Sequence, residues 1–115
     1  MENAIPFSNR LQVAAGAAEV FIVPVVVAES PFRSPNITHI AIEPDAANVT
    51  LIEAGFIESV TGAFMPRWDT TSTLGRREWS GIMQTGPRGS TFAVRITAAA
   101  ATSARVCYDG MMVDG

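Results

Sequence analysis

Thr91-Phe92-Ala93-Val94-Arg95-Ile96-Thr97 decides the fold class. In an extended chain successive side chains point to opposite faces, so Phe92, Val94 and Ile96 share one side and Thr91, Arg95 and Thr97 the other. That period of two predicts a half-buried strand. The same alternation groups Ile40 with Ile42 in Asn36–Ile42, and Val49 with Leu51 in Asn48–Leu51. The Glu43-Pro44-Asp45-Ala46-Ala47 segment between them has turn chemistry, so these two strands are expected to form a hairpin.

Outward from these strands, Val20-Phe21-Ile22-Val23-Pro24-Val25-Val26-Val27 is apolar on both sides and rich in β-branched residues. It predicts a strand covered on both faces, with Pro24 demanding an edge position, a bulge or a break. An apolar edge invites pairing with another chain, so a neighbouring subunit is expected to cover it. Further strands are predicted at Leu11–Ala15, Phe56–Val60, Glu78–Met83 and Ala104–Val113, and Gly86-Pro87-Arg88-Gly89 reads as a tight turn. The sum is an all-β chain: a single jelly-roll-like β-sandwich of about eight short antiparallel strands filling residues 1–115. Ala98–Ala101 competes as a helix on propensity alone, although Thr97, Thr102 and Ser103 favour a strand end or loop. Gly62–Arg77 has no clear periodicity and is expected to be a long functional loop. Residues 1–10, with the apolar Ile5-Pro6-Phe7, either staple the sandwich or form an N-terminal arm reaching onto a neighbour.

Hydrophobic residues make up 48% of the 115-residue chain and charged residues only 17%. Such a chain folds, and it leaves little polar covering, which favours an assembly partner. The formal net charge of −3 has the wrong sign for nucleic-acid binding, which cationic side chains drive by counterion release. The apolar Val20–Ala28 run is too short, and too interrupted by Pro24, to cross a bilayer, so no membrane role is expected. All 8 basic residues are arginine. Before Gly62 only Arg10 and Arg33 stand against seven acids, whereas from Ala63 onward six arginines face four. Complementary faces of neighbouring subunits would require such an asymmetry.

Catalytic chemistry finds little support. A serine or cysteine triad needs a histidine base, and the only histidine, His39, lies in a strand between Thr38 and Ile40, which suits a surface or interface imidazole. One His and one Cys, Cys107, cannot supply a zinc set, and Glu43 and Asp45 flank a proline in a solvated turn. No catalytic residue, metal or cofactor is expected. Trp and Arg are the residues most enriched at binding hot spots. Arg67-Trp68-Asp69 and Arg76-Arg77-Glu78-Trp79 therefore mark the expected interface, joined by Arg88 on its turn and by Ile5 and Phe7. Trp79 has core packing as a rival role, with Ile82 and Met83 following it, whereas Trp68 is expected in a loop.

Few charges, about eight short strands, Trp79-Ser80-Gly81 before a turn, the Phe92–Ile96 strand and the closing Val106-Cys107-Tyr108-Asp109-Gly110 together resemble the capsid decoration, or cement, proteins of tailed bacteriophages. The resemblance covers the chain in style and implies a non-enzymatic β-sandwich on the virion exterior. It further implies a homo-oligomer, a trimer favoured, that binds the major capsid protein and clamps neighbouring capsomers by multivalent burial. The alternative is a receptor- or glycan-binding module of a tail fibre or adhesin, stacking sugar rings on Trp68 or Trp79.

Overall fold

Phe92, Val94 and Ile96 are fully buried, Thr91 and Arg95 are half-buried and Thr97 is exposed, as the alternation requires. The computed structural model describes residues 5–15, 20–26, 32–44, 50–71, 74–98 and 102–114. Among them every regular element is a strand: β1 (Ile5–Ala15), β2 (Val20–Val26), β3 (Arg33–Pro44), β4 (Thr50–Ile57), β5 (Phe64–Thr71), β6 (Arg77–Thr85), β7 (Thr91–Ala98) and β8 (Thr102–Asp114). They form two antiparallel four-stranded sheets, sheet A in the order β1-β8-β3-β6 and sheet B in the order β2-β7-β4-β5. Strand 1 pairs with 8, 2 with 7, 3 with 6 and 4 with 5. The chain is thus a long hairpin, turned at Ile57–Phe64 and folded over itself into a small β-sandwich.

Each sheet contributes one face to the core. Ile37, Ile40, Ile42, Val106 and Tyr108 of sheet A meet Ile52, Phe56, Trp68, Phe92, Val94 and Ile96 of sheet B. Phe92 lies 6.1 Å from Phe56, 6.3 Å from Trp68 and 5.3 Å from Tyr108 between ring centroids, in tilted or edge-on geometries. Such pairs prefer the positive edge of one ring against the negative face of another. Tyr108 comes from the opposite sheet, so this one side chain ties the two layers together.

Four expectations are corrected. β3 and β4 do not form a hairpin: β3 pairs with β6 and β8, and β4 with β5 and β7, in different sheets. The reason is phase. Ile52, Ala54 and Phe56 point inward and Leu51 outward, the reverse of the Val49/Leu51 grouping, and a one-residue slip turns every side chain over. Second, Thr50 and Leu51 of one predicted strand and Phe56 and Ile57 of the other belong to a single strand, β4. Third, the presumed loop from Gly62 to Arg77 contains β5. Its alternation is broken by a bulge that leaves Arg67 without a partner between Pro66↔Gly55 and Trp68↔Ala54. Fourth, Trp68 is not a loop contact: it is 6% exposed and packs edge-on at 6.0 Å against Phe56. Residues 5–10 run along β8 from Ile5↔Met112 to Arg10↔Cys107, as part of the sheet and not a detached arm. The Asp45–Val49 connection and Ala99–Ala101 lie outside the described residues.

Irregularities mark three of the four sheet edges. β2 shifts register between Pro24 and Val26, as the proline requires, β5 bulges at Arg67, and β6 carries Gly81 at φ 71° opposite the β3 shift at Thr38. Bulges and prolines spoil an edge as a template for another strand. Gly55 is obligatory for the β5 contact, because a Cβ there would collide with the Met65 carbonyl.

The burial of Trp68 makes a direct forecast. Trp68→Ala should cost about 3–5 kcal/mol, the range for truncating a large buried aromatic, in urea unfolding followed by far-ultraviolet dichroism. Arg67→Ala, exposed on the bulge, should stay within about 0.5 kcal/mol of the parent. Equal, small effects from both would show that Trp68 is not part of the core.

Candidate functional site

The expected interface residues are scattered over the molecule, with Trp68 in the core and Arg88 on the β6–β7 turn. Arg77, Trp79 and Asp69 come together where the edges β5 and β6 meet: Arg77 Nη1 donates to the Asp69 carbonyl at 3.1 Å and to its Oδ1 at 3.4 Å, and the guanidinium carbon sits 4.8 Å above the Trp79 ring. Trp79 is half-buried and packs against the core with its other side. Arg67 is exposed and donates to the neighbouring Pro66 carbonyl at 3.0 Å. Arg76 sits with Glu78 on the opposite, outer side of sheet A. Ile5 and Phe7 are placed by backbone only, opposite Met112 and Gly110. With Trp68 in the core and Trp79 covered by Arg77, neither tryptophan offers an open face for a sugar ring.

Among the described residues, the charged side chains on the outer face of sheet A are paired with one another. His39 Nε2 donates to Glu78 Oε2 at 2.6 Å, while Nδ1 lies 3.1 Å from Asp109 Oδ2 without hydrogen-bond geometry. Each ring nitrogen faces a carboxylate, so neither is turned towards a nucleophile. His39, and next the Arg76 guanidinium, hold the Glu78 carboxyl below the usual carboxylate range. Arg105 pairs with Glu43 at 3.0 Å. No group of three or more His, Cys, Asp or Glu that could hold a metal ion occurs among the described residues. Asn36 and Ser90 each have a buried side-chain oxygen without a partner.

The most exposed apolar side chains lie at the chain's turns. Val60 is 87% exposed, Phe32 65% and Leu74, between β5 and β6, 64%. Val60 and Phe32 belong to one end of the sandwich, where Phe32 precedes β3 beside the β4–β5 and β6–β7 turns. The β6–β7 turn fixes their relation: Gly89 N–H donates to the Arg33 carbonyl at 2.6 Å, Gly86 N–H to that of Pro35 at 2.9 Å, and Ser59 Oγ to the Arg88 carbonyl at 3.5 Å. Arg88 therefore sits between Phe32 and Val60 with its own side chain exposed.

The β4–β5 turn is held by one carboxylate. Glu58 accepts from the Val60 N–H at 2.9 Å, the Thr61 N–H at 2.9 Å and the Thr61 hydroxyl at 2.6 Å. Backbone bonds Gly62 N–H to Glu58 carbonyl and Glu58 N–H to Ala63 carbonyl, both 2.9 Å, close the loop, and Gly62 supplies the left-handed φ of 74°. The result presents Val60 on a braced tip. A group ordered before binding loses less entropy on docking than a mobile one. The Phe56–Val60 strand reading concealed this tip; the cue in the sequence was Glu58-Ser59-Val60-Thr61-Gly62, a Glu three residues before Thr followed by Gly.

No protein-family model matches this chain, and no curated protein matches it.

The turn should depend on pH. The Thr61 hydroxyl, then the Val60 and Thr61 amides, lower the Glu58 pKa, so the folded carboxyl binds its proton less readily than the unfolded one. Its contribution is present above the ordinary value of about 4.3 and is lost as pH falls through the lower folded value. Amide exchange at Val60 and Thr61 should accelerate in acid relative to Phe92, after correction for intrinsic rates, and Glu58→Gln should show the faster exchange already at neutral pH. Unchanged protection in that variant would remove Glu58 as the brace.

Proposed function

We propose that this protein is a non-enzymatic subunit of a virus particle, which binds the outer capsid surface as a homo-oligomer, a trimer favoured, and stabilises neighbouring capsomers. The observation that carries the reading is the braced loop end, where Val60 and Phe32 project on either side of the Arg88 turn. An apolar side chain on a braced turn, Val60, with Phe32 exposed nearby, suits insertion into pockets of a partner, with Arg88 supplying directional hydrogen bonds at the rim. The resemblance to decoration proteins names the partner, the major capsid protein. Several copies held in one oligomer raise the effective concentration of each loop end at the next site, so modest single contacts suffice.

Burying a side chain of the size of Val or Phe contributes about 1.5–3 kcal/mol. Val60→Asp with Phe32→Ser should therefore weaken binding to particles that lack the protein by at least tenfold, while the dichroism spectrum and melting temperature stay those of the parent. Sedimentation of the protein with such particles gives the measurement. Binding to host cells or glycans in place of particles would refute the capsid reading.

A further inference from the structure

The two outer faces of the sandwich differ in kind. Sheet A presents the charged groups His39, Glu43, Glu78, Arg105 and Asp109, paired among themselves, beside half-buried Cys107, Met111 and Val113 on β8. Sheet B presents the outward members of the alternation in β2, β7, β4 and β5: Ile22 at 40% exposure, half-buried Leu51, Ile57 and Phe64, exposed Pro66 and the polar Thr97. Its centre holds one ion pair. Arg95 Nε donates to Glu53 Oε1 at 2.9 Å, and the guanidinium carbon sits 4.6 Å over the Phe64 ring. Glu53 is only 8% exposed. This carboxylate is already out of water and already satisfied, so a surface placed over it faces little further desolvation and need not supply a counter-charge.

We infer that the outer face of sheet B is the contact between copies of this chain. The inference rests on the assembly-subunit reading and names the surface that joins copies; a face set against its own copy closes about a two-fold axis, so the contact is that of a dimer and not of the trimer. A self-complementary interface brings a patch against its own kind, where unpaired charge would be repelled. The Glu53–Arg95 pair is neutral in sum, and Asp69 at the margin is held by Arg77, so two such faces meet without like charges opposed. The edges point the same way: bulges at Pro24 and Arg67 spoil both edges of sheet B as strand templates, leaving its face as the surface that can associate. Size is sufficient. Four strands about 4.8 Å apart, each with about seven residues rising about 3.3 Å, give roughly 440 Å² of projected area per copy. Two copies reach roughly 900 Å² before side-chain relief is counted, close to the roughly 1,000 Å² a specific interface needs.

Sedimentation velocity of the isolated protein, with no capsid present, tests this. The parent should associate as concentration rises. Thr97→Glu, at an exposed position of the central strand β7, and Pro66→Glu, exposed on β5, should each raise the dissociation constant more than tenfold with melting temperature unchanged. Val60→Asp should leave association as in the parent. A parent that stays monomeric at 100-fold the concentration used for capsid binding, on the order of 100 μM against affinities near 1 μM, would overturn the inference. So would association that both face variants retain, or face variants that lose capsid binding from a monomeric parent, which would assign the face to the capsid. Failure here leaves docking by the loop end standing, because particle binding is measured separately; loss of particle binding in the parent would strike the functional reading and not this contact.

Discussion

Every strand of the first half of the chain is hydrogen-bonded to a strand of the second, and to none of its own half. All six pairings obey this: β1 with β8, β2 with β7, β3 with β6 and β8, β4 with β5 and β7. The nesting sets an order of entropic cost. The innermost connection, Glu58–Ala63, spans six residues, whereas closing Ala15 onto Thr102 unaided spans eighty-six, which adds about 2 kcal/mol by the logarithmic dependence on loop length. With β4 and β5 in place, each outer pair closes a shorter effective loop. The turn that Glu58 braces is therefore the fold's point of return as well as its exposed tip.

The same constraint explains the charge distribution. Opposite signs in the two halves suggested complementary surfaces of neighbouring subunits. The nested topology instead brings acids of the first half beside arginines of the second within one molecule: Glu53 with Arg95 and Glu43 with Arg105. His39 meets Glu78 and Asp109 by the same route. Exposed pairs of this sort contribute little individually, about 0–1 kcal/mol. Their larger effect is on register, since a slipped strand would set each charge on the wrong face or beside the wrong partner.

What could be read from the residues followed how cleanly each strand alternates. β7 was legible because Phe92, Val94 and Ile96 keep phase over its whole length, and Pro24 announced its irregularity because a missing amide cannot be hidden. β5 was illegible for a related reason. Its inward set is Met65, Trp68 and Thr70, one residue out of step at the bulge and polar at its end; Thr70 is fully buried because its hydroxyl donates to the Gly75 carbonyl at 2.6 Å. A tryptophan flanked by Arg67 and Asp69 looks like a surface residue until the bulge is known, since the extra residue restores Trp68 to the core side. Of the expected interface residues, Asp69, Arg77 and Trp79 do meet, as a seam closing β5 on β6. Phe32 and Val60 were missed because nothing local distinguishes an exposed apolar residue at a turn from one entering a strand.

Placement of the apolar residues separates what holds the subunit together from what it offers to others. The phenylalanines at 56 and 92 and both tryptophans are committed to the core or to the β5/β6 seam, so they cannot also serve a partner. Sheet A's outer face is occupied by pairs that would have to be broken or buried, and breaking a buried pair costs more than the pair contributes. Among the described residues, the exposed apolar surface lies at the turns, at Phe32, Val60 and Leu74, and on the face around the Glu53–Arg95 pair, where Ile22 is exposed. The loop end at Phe32 and Val60 and this face lie on an end and a side of the sandwich, so occupying one does not obstruct the other. In the proposed role, joining copies and holding a larger surface would fall to separate places, a side and an end of the sandwich.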